Sequence, residues 1–272
     1  MAAVKTTKQA TSAASTSRAV PLPPALARWL VTTTSAVGKH SLHLMTEGAG
    51  ARAAVVDELR DFLRSHYVAP DVVAKRLAAL GAPKTAELLR EHVPTTKTAR
   101  SGDLGEVLAS EIAEHTLHFD VPIRRLRWKD GRNMALRGDD IIGIRCDAKG
   151  KLEFLKGESK SRAVLTTSVL NEAGAALDRD RGRPTIHSVI FVAERLREFG
   201  TDLLATRLEE AALDSFAGRP VEHLLLTLSG GDPKNLLTEH LNACATKKRR
   251  RHAVGVRIAD HAAFIDAMFG GL

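Results

Sequence analysis

The chain has 272 residues, of which 44% are hydrophobic and 26% charged, so it can bury a real core and is too apolar overall for a disordered protein. Its net charge of +8 fits a polyanionic partner. Two cysteines, Cys146 and Cys244, exclude a disulfide framework or a zinc site built on thiolates and suit a reducing cytoplasm, and no apolar run approaches the roughly 20 residues that cross a bilayer.

Residues 1–20 are Ala, Ser and Thr-rich, with no acidic residue before Glu47, and read as a disordered tail rather than a transit peptide. The prolines at 21, 23 and 24 mark the entry to ordered chain. Residues 21–95 then read as a small helical region. Val55, Leu59, Phe62 and Leu63 recur at helical spacing over 51–66, Pro70 ends that helix, and two shorter helices are predicted at 71–81 and 84–92.

Residues 96–272 form the larger region. Leu104, Leu108, Ile112 and His115 carry a helix from Asp103 to about His118, with Glu106 off the apolar stripe. Strands are predicted at 121–128, 140–145 and 152–160, joined by turns at 129–133 and 147–150 into an antiparallel meander. Beyond it come a helix over 164–180, an ambiguous apolar segment at 185–192 and a helix at 203–216. Strands at 222–228 and 252–258 flank a helix at 233–245, and a last helix covers 260–268. The fold class is α/β, a mixed sheet of four or five strands flanked by helices.

In the strand that ends Gly157-Glu158-Ser159-Lys160, side chains alternate, so Glu158 and Lys160 share a face about 7 Å apart. Asp140 opens the preceding strand of the hairpin, and pairing brings its carboxylate beside Glu158. Close carboxylates repel and raise each other's pKa, which invites a cation. Mg²⁺ or Mn²⁺ suits them, because a hard cation binds one or two carboxylates and completes its shell with water and substrate phosphate. A lysine beside it orients water and offsets charge on the phosphorane oxygens. An isolated E-x-K is usually a solvated strand face, and Asp139-Asp140 after Gly138 also fits turn chemistry. The conjunction of Glu106, Asp140, Glu158 and Lys160, each on the fitting element and in order, favours phosphodiester hydrolysis. The choice between Asp139 and Asp140 stays open, with Asp140 preferred because it directly precedes the strand.

Three segments, Gly102-Asp103-Leu104-Gly105-Glu106, Arg137-Gly138-Asp139-Asp140-Ile141-Ile142-Gly143 and Phe154-Leu155-Lys156-Gly157-Glu158-Ser159-Lys160-Ser161, resemble the HamA effector nucleases of the Hachiman anti-phage system, within the PD-(D/E)xK superfamily. The resemblance spans roughly residues 95–260. It implies a restriction-endonuclease-like core, catalytic roles for Glu106, Asp140, Glu158 and Lys160, and metal ligation by Asp140 and Glu158 with Glu106 as a further acid. It also implies a superfamily 2 helicase partner, HamB, in a heterodimer that restrains the nuclease until aberrant DNA is sensed. A restriction-like or repair nuclease outside that system, and a catalytically silent DNA-binding scaffold of the same fold, are the rival readings.

Arg162 extends positive charge beside the E-x-K strand, and Lys247, Lys248, Arg249, Arg250 and Arg251 make a dense basic loop; both are candidate DNA contacts. Arg124 to Lys129 mixes cations with Trp128, which could stack a base or face the core. The pairs His115/His118 and His40/His43 lack a third metal ligand and read as packing or surface residues.

Overall fold

The computed structural model describes residues 21–244, 248–270 and 272; the tail predicted over 1–20 and the loop residue Lys247 lie outside the described residues. Helix α1 (Pro24–Trp29) leads into strands β1 (Leu30–Val37) and β2 (His40–Glu47), followed by α2 (Ala51–Tyr67), α3 (Pro70–Arg90) and α4 (Lys97–His115). Strands β3 (Ile141–Cys146) and β4 (Leu152–Ser161) come next, then α5 (Thr167–Gly182), α6 (Ile186–Glu198) and α7 (Asp202–Leu213). The chain closes with β5 (Val221–Ser229), α8 (Lys234–Ala243), β6 (Arg251–Arg257) and α9 (His261–Phe269).

The six strands form one mixed sheet in the order β1-β2-β6-β5-β4-β3. Strands β2, β6, β5 and β4 are mutually parallel, and an antiparallel strand closes each edge, β1 against β2 and β3 against β4. Helices cover both faces, as parallel strands require. On one side α2, α4 and α9 bury Leu155, Leu224, Leu226, Val254 and Val256. On the other, α5 and α8 cover Leu225 and Ala253, while α6 and α7 pack on Ile142, Ile144 and Phe154. No helix among the described residues is long and apolar enough to cross a membrane.

Two sequence expectations are corrected and a third, open reading is decided. The region 21–95 is not all helical: residues 30–47 form a hairpin whose second strand pairs with β6, which raises the sheet to six strands. Its signal was masked because β1 is an edge strand exposed over most of its length, so Val31-Thr32-Thr33-Thr34 lacks a period-2 pattern. Second, 121–128 is not a strand. Asp120 makes a single bridge to Ile144, after which Arg125–Trp128 turns into a 3-10 helix, so the meander has two strands rather than three. Third, the ambiguous 185–192 segment is helical, with Thr185 capping α6 by accepting the Ser188 N–H. The expected division of 71–92 into two helices appears as a break in α3 at Gly81, where φ is +75°.

Candidate active site

Two elements bring the predicted residues together. Helix α4 starts at Thr96, whose hydroxyl accepts the Ala99 N–H at 3.3 Å, and it buries Leu104, Val107, Leu108 and Ile112 against the sheet. Gly105 lets it come close to β4, since a Cβ there would stand 3.3 Å from Ser159 Oγ. Strands β3 and β4 meet in the register Ile141↔Gly157, one step short of Asp140 opposite Glu158. Gly157 sets that spacing: a Cβ on it would lie 2.7 Å from Ile141 Cβ.

Asp140 Oδ2 accepts the Ser159 backbone N–H at 2.9 Å and lies 3.3 Å from Ser159 Oγ. The aspartate is thereby fixed to the middle of the Glu158-Ser159-Lys160 segment. Lys160 Nζ sits 3.0 Å from Glu158 Oε1 and 2.8 Å from Glu172 Oε1 on α5. Glu106, Asp140, Arg125 and His66 line one small cavity between α4 and β3.

The electrostatics follow from burial. Desolvation lifts the Glu158 pKa to about 7, with the Asp140 charge adding to it and Lys160 opposing. Glu106 is raised well above the usual carboxylate range, again by burial first and Asp140 second, against Arg125. Burial also raises Asp140, which the Ser159 N–H, Arg125 and Lys160 counter. Burial alone would lower the Lys160 pKa, but Glu172 and Glu158 outweigh it and the net shift is upward. Three carboxyls thus share a site where ionisation is costly, and hard oxygen donors of this kind fit Mg²⁺ or Mn²⁺. Their arrangement is open. Among the described residues the three-ligand group whose atoms lie within 4.8 Å of one another is Glu111, Glu114 and His115. That group already has partners: Arg124 Nη2 is 3.0 Å from Glu111 and 2.6 Å from Glu114, and the His66 ring is 2.9 Å from Glu111. An open carboxylate set suits a cation that retains water and takes substrate phosphate as ligand.

The neighbouring Asp139 points elsewhere. Its Oδ1 lies 3.3 Å from Lys156 Nζ and its Oδ2 accepts the Thr185 N–H at 2.7 Å, both inside the protein, so it is Asp140 that joins Glu158.

Other candidates separate. Arg162 lies in a cleft of about 440 Å³ with Lys97, Ser101, Ser161 and His261, adjoining the end of β4. Lys248 and Arg250 are exposed, and Arg249 is half-buried with its guanidinium on the Arg181 carbonyl at 3.0 Å. Arg251 is corrected: only 2% exposed, it bonds Asp178 at 3.0 Å, His240 at 2.9 Å and Cys244 Sγ at 3.1 Å, so it is an internal cation rather than a surface contact. The 124–129 cluster is likewise internal. Arg124 pairs with Glu114, Arg127 bonds the Ser65 carbonyl, Lys129 pairs with Asp103 at 2.8 Å, and Trp128 packs edge-on against Phe191 and Phe199.

Sequence reasoning missed Arg125 and Glu172 as members of the site, and Lys156 as the cation that holds Asp139. Lys156 had a signal, standing two residues before Glu158 on the same strand face. Glu172 had none, because only the packing of α5 on β4 brings it to Lys160.

The sequence profile of the HamA family matches residues 25–272, nearly the whole described chain. The Hachiman protein HamA of Bacillus cereus is 28% identical over 135 residues, a match covering 49% of this chain and 47% of that protein, so it spans about half of the relative's length. With the profile running through α4, β3 and β4, this chain belongs to the HamA family.

Proposed function

We propose that the chain is a metal-dependent nuclease that hydrolyses DNA phosphodiesters, acting as the effector of a Hachiman anti-phage system under the restraint of a superfamily 2 helicase partner. The observation that carries the catalytic part is the bond from Ser159 N to Asp140 Oδ2, which locks an aspartate, a glutamate and a lysine into one fixed group. The defence role rests on family membership and on the name of the Bacillus cereus relative.

In this reading Asp140 and Glu158 hold a Mg²⁺ or Mn²⁺ ion, which when bound supplies Lewis-acid polarisation of the scissile phosphate. Lys160, held between Glu158 and Glu172, presents its ammonium to the phosphate and offsets the charge that grows on the non-bridging oxygens. Glu106, whose pKa is raised well above the usual carboxylate range by burial and then by Asp140, adds a third carboxyl to the site from α4. Ser159 keeps the Asp140 carboxylate oriented through the cycle.

The biological part is tested by co-expressing the chain with a HamB helicase and challenging cells with phage. Protection is expected with the wild type and lost with Glu158→Gln. Equal protection by both would refute the nuclease role in defence.

A further inference from the structure

We infer that the broken end of α5 and residues 248–250 before β6 form a phosphate-binding track that holds a nucleic-acid strand outside the proposed cleavage centre. Helix α5 stops being helical at Arg179, whose ψ is 154°, and Asp180, Arg181 and Gly182 follow at φ of 56°, 60° and 68°. Two consecutive non-glycine residues in the left-handed region each cost roughly 1–2 kcal/mol, so the surroundings must hold them. They do. Lys156 Nζ donates to the carbonyls of Arg179 at 3.2 Å and Arg183 at 3.0 Å, His223 Nε2 meets the Gly182 carbonyl at 2.9 Å, and Arg249 donates to the Arg181 carbonyl at 3.0 Å.

The result of this enforced turn is a concentration of positive charge. Arg179, Arg181 and Arg183 come from the turn and Lys248, Arg249 and Arg250 from the loop, and among the described residues none of these six makes an ion pair with a carboxylate. Elsewhere the chain pairs exposed arginines with acids, as in Arg28–Glu58, Arg197–Glu209 and Arg219–Asp214. The acids near the cluster are Asp180, Asp178, which bonds Arg251 and whose charge also reaches Arg249, and Glu222, whose charge meets that of Arg250. Arg181, Lys248 and Arg249 line a cavity of about 230 Å³ floored by Gly182 and His223. Gly182 keeps it open to Arg249, whose Nε would stand 2.7 Å from a Cβ there.

Like charges that outnumber the acids beside them repel one another, and a polyanion relieves that repulsion while releasing its own condensed ions. A spread of six cations over two segments matches the repeating phosphates of a strand better than a single small anion. Arginine, with its planar fork, is the side chain best shaped for phosphate oxygens. The track reaches the candidate centre: Arg179 is close enough for its charge to act on Glu158, and Lys156 ties the same turn to Asp139, the neighbour of Asp140. The direction of the track towards a scissile bond rests on the proposed nuclease function, whereas binding along it does not.

The test is anisotropy of a labelled oligonucleotide, single-stranded and duplex, titrated with the full chain in EDTA over a range of salt. The triple variant R179A/R181A/K248A removes exposed cations and leaves the Arg249 to Arg181 carbonyl bond in place. It is expected to weaken binding about tenfold or more at low salt and to reduce the slope of log K against log salt by about 2 to 3. A charge-matched triple on α3, K75A/K84A/R90A, is expected to keep the wild-type slope, and R179K/R181K is expected to keep near-wild-type affinity. A track triple with the wild-type slope, or an α3 triple that loses as much, overturns the assignment. Loss of binding in the track triple together with no metal-dependent cleavage by the wild type would uphold the track and sink the nuclease reading, so the two fail separately.

Discussion

Lys156 and Asp139 form a buried ion pair, Nζ to Oδ1 3.3 Å, that anchors the approach to the candidate centre from below. Lys156 also donates to the Arg179 and Arg183 carbonyls, while the Asp139 N–H donates to Ser188 Oγ at 2.8 Å. The residue before Asp140 is thus fixed by β4, α5 and α6 at once. Lys156→Met would leave a buried carboxylate without its cation, and breaking such a pair costs about 3–5 kcal/mol. The double variant D139N/K156M should cost less than the sum of the single variants, because the unpaired charge is gone. Urea denaturation of the four proteins measures this. A loss under about 1 kcal/mol in Lys156→Met would contradict a structural role for the pair.

Gly157 carries the close approach of β3 to β4. Alanine there meets Ile141 Cβ and must push the edge strand outward. Overpacking of this kind costs typically about 1–3 kcal/mol. Denaturation of Gly157→Ala should show that loss, and its Mg²⁺ response should weaken because Asp140 moves with β3. Unchanged stability would mean that the strands have room the register does not give them.

Arg251 separates structure from binding within one basic segment. Its buried guanidinium joins His240, Cys244 and the partly exposed Asp178, so Arg251→Ala should lower stability by about 1–3 kcal/mol, the scale for hydrogen bonds to a charged group and their desolvated partners. Where the variant remains folded, its salt slope for nucleic acid should equal that of the wild type. A slope reduced by about 1 would make Arg251 a phosphate contact after all.

Three histidines, His223 and His240 beside that arginine and His43 on β2, have strongly lowered pKa values. Burial first, then the charges of Arg251 and Arg249, push His223 down to about 4, against the help of the Gly182 carbonyl. Burial and Arg251 do the same for His240, and burial with His252 and Arg250 for His43, each down to about 4. Unfolded histidine titrates at about 6.5, so between pH 6.5 and 4 the unfolded chain binds protons that the folded chain refuses. Their contribution is fully present above pH 6.5 and is lost as pH falls towards 4, on the order of 2 to 3 kcal/mol for a single histidine. The raised carboxyls Glu158, Glu106 and Asp140 act with the opposite sign over the same range, so the histidine contribution is read as a difference: His223→Gln should remove about one proton from the pH slope of the urea midpoint. A slope unchanged by His223→Gln would contradict a neutral His223 in the folded state.

What the sequence disclosed and what it withheld have physical reasons. Helices α2, α4 and α8 and strands β3 to β6 were legible because their apolar residues recur at the helical period or form short runs bounded by turns. Strand β1 was not, since an edge strand exposed on both faces carries no burial pattern. Trp128 read as a base stacker because an aromatic among arginines looks the same whether it faces solvent or Phe191 and Phe199. Within the site, the strand period put Glu158 and Lys160 on one face, and hairpin pairing brought Asp140 to them. The choice of Asp140 over Asp139 needed the third dimension: only the contact of Asp139 with Lys156 and Thr185 shows which aspartate is committed to the interior. Arg251 and Arg250 are adjacent in sequence, and burial alone tells them apart.

The most direct test of the account is cleavage of plasmid DNA by the purified chain, alone and with the proposed helicase partner, in Mg²⁺, Mn²⁺ and EDTA, comparing wild type with Asp140→Asn, Glu158→Gln and Lys160→Met. The account predicts metal-dependent cleavage by the wild type, with each substitution lowering the rate by at least about 100-fold, the scale on which single electrostatic groups act in such centres. Cleavage that persists in all three variants, or its absence from the wild type under every metal and partner condition, would contradict a nuclease centred on Asp140, Glu158 and Lys160.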